Sequence, residues 1–143
     1  MIQKTAITFK FVEFIPPVLE NMTIYISIPY TTVVHKCCCG CGKQVVTPLS
    51  PTDWKLIFDG KTISLDPSIG NWSFSCQSHY WIWNNTVLWT NRLPQEAISA
   101  IRNQDRLVKS QYYRSSAIDI HAKEEIIKEK QTMWQKILKW MSS

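Results

Sequence analysis

The sequence predicts an α+β fold in which a mainly antiparallel β body is followed by a C-terminal helical region. A change of pattern along the chain carries this prediction. Residues 1–92 read as short β-rich runs separated by turn residues, whereas residues 93–143 space their apolar side chains at helical intervals. The 143 residues suffice for one domain with its own core. That single domain, 1–143, is expected to divide into a β-rich body, 1–92, and a helical region, 93–143. Most of the seven tryptophans belong in the core, because each buries a large apolar area.

The expected strands follow in order. Phe9–Phe14, Met22–Ile28, Thr32–Lys36 and Gln44–Thr47 are β-rich runs, and Pro29 parts the second from the third. Trp54–Phe58 and Lys61–Leu65 flank Asp59-Gly60, a two-residue hairpin signal because both residues tolerate the positive φ of a type I′ turn. His79–Trp83 and Thr86–Thr90 flank Asn84-Asn85, which suits the same turn. In the first strand of that hairpin His79, Trp81 and Trp83 share one face, and Tyr80 and Ile82 share the other.

After Arg92 the pattern becomes helical. Pro94 fits a first helical position and Glu96 a first turn, with Ala97, Ile98, Ile101 and Val108 on one apolar side. A second helix is expected from about Ile118 to Met141. Its stripe of Ile126, Ile127, Met133, Trp134, Ile137, Leu138 and Met141 should pack on the sheet rather than on a membrane. Residues 101–143 carry nine Lys/Arg against five Asp/Glu. That excess reads as a solvated helix face, and nucleic acid is a disfavoured partner, because no aromatic residues are interleaved in the way single-strand binders use them.

The first residues lack the charged-then-apolar pattern of a secretion leader, and no apolar run approaches a membrane span. The expected location is therefore cytoplasmic, and the sequons at Asn21, Asn71 and Asn84 carry no weight. In that compartment clustered cysteines are metal ligands more often than disulfides.

The densest chemistry lies in His35-Lys-Cys-Cys-Cys-Gly-Cys-Gly42 and in Cys76-Gln-Ser-His79. Thiolates suit zinc, and a structural zinc takes four ligands in a tetrahedron. Gly40 and Gly42 let the backbone bend so that neighbouring thiols converge. Packing alone does not call for four thiols within five residues. Cys37, Cys39, Cys41 and Cys76 form the preferred ligand set for a structural zinc site. Cys39, Cys41, Cys76 and His79 form a rival set, and His35 and Cys38 are further candidates. The spacing leaves the choice open, since an extended segment and a Gly-bent knuckle present different sulfurs.

A second chemistry is written more faintly between Pro67 and Trp81. Ser68 sits beside Ile69-Gly70 in what reads as a loop, where its Oγ could be exposed and the following N–H groups could stabilise an oxyanion. His79, or His35 if it holds no metal, is the candidate general base. Asp53 or Asn71 would orient that imidazole. Each has an ordinary role as well: loop serines and Asn71 support turns, and Asp53 caps a strand entry.

These segments together resemble a bacterial family carrying H-x-C-x-C-G-C-G, V-V-T-P-L-S-P-x-D-W, P-S-I-G-N-W and C-x-S-H-Y-W. In this chain they run His35–Gly42, Val45–Trp54, Pro67–Trp72 and Cys76–Trp81, with Cys38 falling between the family's cysteine positions. The resemblance covers about Phe9 to Trp89. It implies a BubE-like peptidase of the ubiquitin-like conjugation (Bub-type) operons. The partners it implies are a ubiquitin-like protein and its E1- and E2-like enzymes. Carried onto this sequence, it favours Ser68 as a nucleophile served by a nearby histidine. The expectation is thus a zinc-stabilised serine peptidase that processes or removes a ubiquitin-like modifier. The alternative is a non-catalytic zinc module that binds the conjugation machinery or nucleic acid. A metallohydrolase is disfavoured, because a thiolate-rich cluster leaves no open coordination position.

Overall fold

The computed structural model describes residues 4–142. Nine strands and one helix follow one another: β1 Lys4–Ala6, β2 Thr8–Phe11, β3 Thr23–Ser27, β4 Thr32–Lys36, β5 Gln44–Pro48, β6 Lys55–Phe58, β7 Ile63–Gly70, β8 His79–Trp83, β9 Thr86–Trp89 and α1 Gln95–Met141. The fold is α+β. The chain separates into two compact units, residues 1–99 and 100–143.

Unit one holds two sheets. A five-stranded sheet runs β1-β9-β8-β7-β6 and a four-stranded sheet runs β2-β3-β4-β5. Pairing is antiparallel except between β2 and β3. The inward residues of both sheets form one core, with Ile24, Ile26, Val33 and Val45 meeting Ile63, Leu65, Ile69, Tyr80, Ile82 and Val87. Strand alternation explains the selection: Tyr80 and Ile82 are fully buried, whereas Trp83 is exposed. The other face of β3 and β4 is covered separately, where Tyr25 and Val34 pack against Leu19, Val12 and Ile15.

The turns differ in how closely they follow expectation. Asn84 and Asn85 both adopt positive φ, 47° and 56°, with Trp83 opposite Thr86, so the expected two-residue turn forms. In the β6–β7 hairpin the tip shifts by one residue. Asp59 N–H donates to the Thr62 carbonyl at 3.3 Å, leaving Gly60-Lys61 at the tip, with Gly60 at φ 93°. The cause is the Asp59 carboxylate, which accepts the backbone N–H groups of Lys61 and Thr62 at 2.9 and 2.6 Å. Those contacts also hold it below the usual carboxylate range, the Thr62 backbone bond contributing most.

Strand β7 runs further than the sequence suggests, through Pro67 and Ser68 to Gly70. Leu65 pairs with Ile82 and Ile69 with Tyr80. Asp66, Pro67 and Ser68 therefore stand opposite the single residue Trp81, a bulge that admits a proline where a regular ladder would not. The Asp66–Pro67 peptide is cis.

Within the helical segment, one continuous helix replaces the two expected. No Gly or Pro interrupts 109–117, and the serines there fold back onto the helix, Ser110 to the Leu107 carbonyl and Ser115 and Ser116 to that of Tyr112. The apolar stripe expected to be buried is exposed. Trp134 is 64% and Met141 71% accessible, and Ile98 is the buried position among the described helix residues. No helix among the described residues is long and apolar enough to cross a membrane.

Candidate active site and metal centre

The metal centre begins at the end of β4. Cys37 N–H donates to the Lys43 carbonyl at 2.8 Å, and Gly40 N–H donates to the Cys37 carbonyl at 3.1 Å. Gly40 and Gly42 take φ of 89° and 79°, a left-handed conformation that residues with a Cβ rarely adopt. The segment is thus a bent knuckle, and the bend brings Cys37, Cys39 and Cys41 together. The fourth thiol comes from the loop between β7 and β8. Asn71 N–H donates to the Ser78 carbonyl at 2.9 Å, closing residues 71–78. Inside, the Phe74 and Gln77 N–H groups reach the carbonyls of Asn71 and Phe74. Lys43 Nζ stands 5.2 Å from the Phe74 ring centroid, so a cation–π contact also ties knuckle to loop.

The Sγ atoms of Cys37, Cys39, Cys41 and Cys76 all lie within 4.8 Å of one another. Cys37 is 3.4 Å from Cys39 and 3.9 Å from Cys76, and Cys41 is 4.0 Å from Cys76. Sulfurs bonded at ~2.3 Å to a tetrahedral zinc are about 3.8 Å apart, so the donor set fits such an ion.

Burial pushes the Cys37 thiol up, and the Cys39 thiol up to about 12, where side-chain hydrogen bonds with Cys37, Cys41 and Cys76 add to the rise. At Cys76, burial opposes ionisation, but hydrogen bonds with Ser78 and then with Cys39 and Cys37 outweigh it and bring the thiol down to about 7. A cation held among these sulfurs would offset the charge of the thiolates that bind it. Cys38 lies outside the cluster; half-buried against the core, its thiol is pushed up to about 12 by burial.

A polar network backs the sulfurs. Ser78 Oγ lies 3.0 Å from Cys37 Sγ. The Asn71 amide donates to Ser78 Oγ at 2.9 Å and approaches Cys37 Sγ at 3.7 Å and the Tyr80 hydroxyl at 3.4 Å. Tyr80 in turn bonds His35 Nε2 at 2.9 Å across the core. His35 is fully buried, and burial lowers its imidazole to about 4. His35 therefore belongs to the core network and stands apart from the sulfurs.

The strands flanking the loop carry the second constellation. Gly70 stands opposite His79, and Ile69 opposite Tyr80. Ile69 and Tyr80 turn into the core, so Ser68, Gly70 and His79 share the outer face, and Ser68 is the diagonal neighbour of His79. The Ser68 hydroxyl lies 2.9 Å from His79 Nε2, which places His79 outside the sulfur cluster as well. The His79 carbonyl is fixed by the N–H and hydroxyl of Thr90, the residue after β9, at 3.0 and 3.2 Å.

The expected orienting groups lie elsewhere. His79 Nδ1 is buried with no hydrogen-bond partner among the described residues, and the contacts of Asn71 and Asp53 run to other groups. Asn71 faces the sulfur cluster through Ser78 and Cys37, and the Asp53 carboxylate accepts a hydrogen bond from Ser50 at 2.7 Å. Asp53 instead lines an open groove of about 600 Å³ together with Leu49, Ser50, Trp54, Asp66 and Pro67, ending at the residue before Ser68. Sequence reasoning assigned no role to Trp72, whose ring centroid lies 4.9 Å from that of His79. Its place in Gly70-Asn-Trp72 was the available signal.

A hydroxyl hydrogen-bonded to an imidazole on a β scaffold is the arrangement that serine-nucleophile enzymes use. Residues 11–90 match the family model described as bacterial ubiquitination-like system serine protease (BubE). The chain belongs to that family. No curated protein and no solved structure matches it.

Proposed function

We propose that this protein is a zinc-stabilised serine peptidase that processes or removes a ubiquitin-like modifier in the bacterial cytoplasm, with Ser68 as nucleophile and His79 as general base. The observation that carries this reading is the 2.9 Å contact between Ser68 Oγ and His79 Nε2. With the proton on Nδ1, Nε2 accepts the hydroxyl proton as Oγ bonds to the carbonyl carbon of the scissile amide. The imidazolium then returns that proton to the departing nitrogen as the C–N bond breaks. Water attacks the acyl-serine by the same route in reverse, releasing the acid and restoring the hydroxyl.

In this reading Cys37, Cys39, Cys41 and Cys76 hold a zinc ion whose contribution is to cross-link the knuckle to the loop. Four thiolates leave no position for water, so the ion supplies rigidity rather than a nucleophile. The groove lined by Asp53, Trp54 and Pro67 is the place for the extended tail of the modifier. The modifier and its E1- and E2-like enzymes are the proposed partners, consistent with the ubiquitination-like system in the family description.

The test is cleavage of a modifier from the same conjugation system, fused through its C-terminus to a reporter. The wild type should release the reporter, and Ser68→Ala should abolish release while keeping full zinc. Equal release by Ser68→Ala removes Ser68 from the role. The exposed apolar side chains of α1 favour a second reading, a non-catalytic binding module. It would show as undiminished binding to the modifier or its enzymes by Ser68→Ala, with no turnover by the wild type.

A further inference from the structure

We infer that Trp72 is the positioning residue for the His79 imidazole, and that residue 70 is glycine so that the Trp72 indole can lie where it does. The inference rests on the Ser68–His79 reading above. An imidazole that takes a proton at Nε2 must keep one ring orientation. In a triad a third group at Nδ1 provides it. Here Nδ1 is buried without a partner, so no hydrogen bond at the far nitrogen holds the ring.

Packing does so instead. The residue directly across the β7–β8 pair from His79 is Gly70, which offers no side chain to the flank of the ring. The Trp72 indole occupies that space, tilted 59° to the imidazole with the centroids 4.9 Å apart. A Cβ on Gly70 would overlap the indole at Cε2, Cζ2 and Nε1. Gly70 is not among the residues with positive φ, so backbone conformation does not call for glycine there. The indole does. Trp72 also lies inside the loop closed by Asn71 and Ser78 and carrying Cys76, so the elements that bind the metal also present the indole.

The test uses a fluorophosphonate probe, which reads serine activation without the natural substrate. The Ser68 oxygen bonds to phosphorus, fluoride leaves, and the hydroxyl proton passes to His79. Gly70→Ala and Trp72→Ala should each label on the order of 100-fold slower, the cost expected of a misplaced reacting group. Trp72→Phe, which keeps a ring, should stay within about tenfold of wild type on the same scale. All three should retain zinc, which separates displacement of the ring from unfolding. In parallel, the carbon-bound protons of His79 should carry a ring-current shift that Gly70→Ala and Trp72→Ala abolish. Wild-type labelling by both of those variants, or His79 signals unmoved when the indole is removed, overturns the inference. Failure of the underlying reading looks different: labelling then persists in Ser68→Ala or His79→Gln, while the His79 signals still report whether Trp72 holds the ring.

Discussion

Replacing Cys76 by serine removes the one sulfur that the β7–β8 loop gives to the metal cluster. Its neighbour Cys41 is 35 residues away in sequence, so an ion held there would close a loop of that length. Treated as a chain cross-link, closure of about 35 residues removes roughly 13 cal/mol/K from the unfolded state, or about 4 kcal/mol at 25 °C. For a body of roughly 100 residues that corresponds to a fall in Tm of about 15–30 °C. The assay is zinc per chain by elemental analysis, paired with thermal unfolding of the same samples. Cys38→Ala is the contrast, since Cys38 packs against the core and lies outside the four-sulfur group. It should keep one zinc and lose only about 1 kcal/mol, an ordinary small core change. If Cys76→Ser kept a full equivalent of zinc with Tm within about 5 °C of wild type, the cross-link argument would be refuted.

Three further outcomes follow from other parts of the molecule. Tyr80→Phe should cost about 1–3 kcal/mol in urea unfolding, because it strips buried His35 Nε2 of its hydroxyl partner when His35 Nδ1 has none among the described residues. Asn85→Ala should cost about 2 kcal/mol, since it puts alanine at φ 56° and removes the acceptor of the Ile63 N–H; Asn85→Gly should recover the conformational part. A chain ending at Ser99 should keep its zinc and unfold cooperatively, because residues 1–99 form a compact unit containing both buried clusters; non-cooperative melting would show that the division is wrong.

The strands were legible because alternation and turn residues agreed, as at β4, β8 and Asn84-Asn85, where local preference and the final register coincide. Ser68 was harder. Pro67 in a β-rich run argues for a break, and the sequence does not reveal that a bulge opposite Trp81 absorbs the proline and continues the strand. That bulge decides which side chain of the segment faces His79, and composition alone does not reveal it. The four thiols were conspicuous by clustering alone, whereas the roles of His35 and His79 were not. One sits in the core against Tyr80 and the other beside Ser68, a distinction made by strand pairing. Asn71 suits an orienting role by type, yet its amide is engaged by Ser78 on the metal side. The continuous helix departs from the expected pair for a simpler reason: residues 109–117 hold no Gly or Pro, so nothing there breaks a helix.

The two constellations are best understood as one construction. Ser68 lies on the strand that enters loop 71–78 and His79 on the strand that leaves it, while Cys76 and Trp72 lie within the loop. Drawing Cys76 to the knuckle therefore fixes the spacing of the strands that carry the hydroxyl and the imidazole. A closed set of sulfurs suits that task, because rigidity is needed and an open coordination position is not. On the proposed reading it also accounts for a base without a third member. Where a triad secures its imidazole from behind with a hydrogen bond, this loop covers the ring with an indole, and Gly70 makes the room.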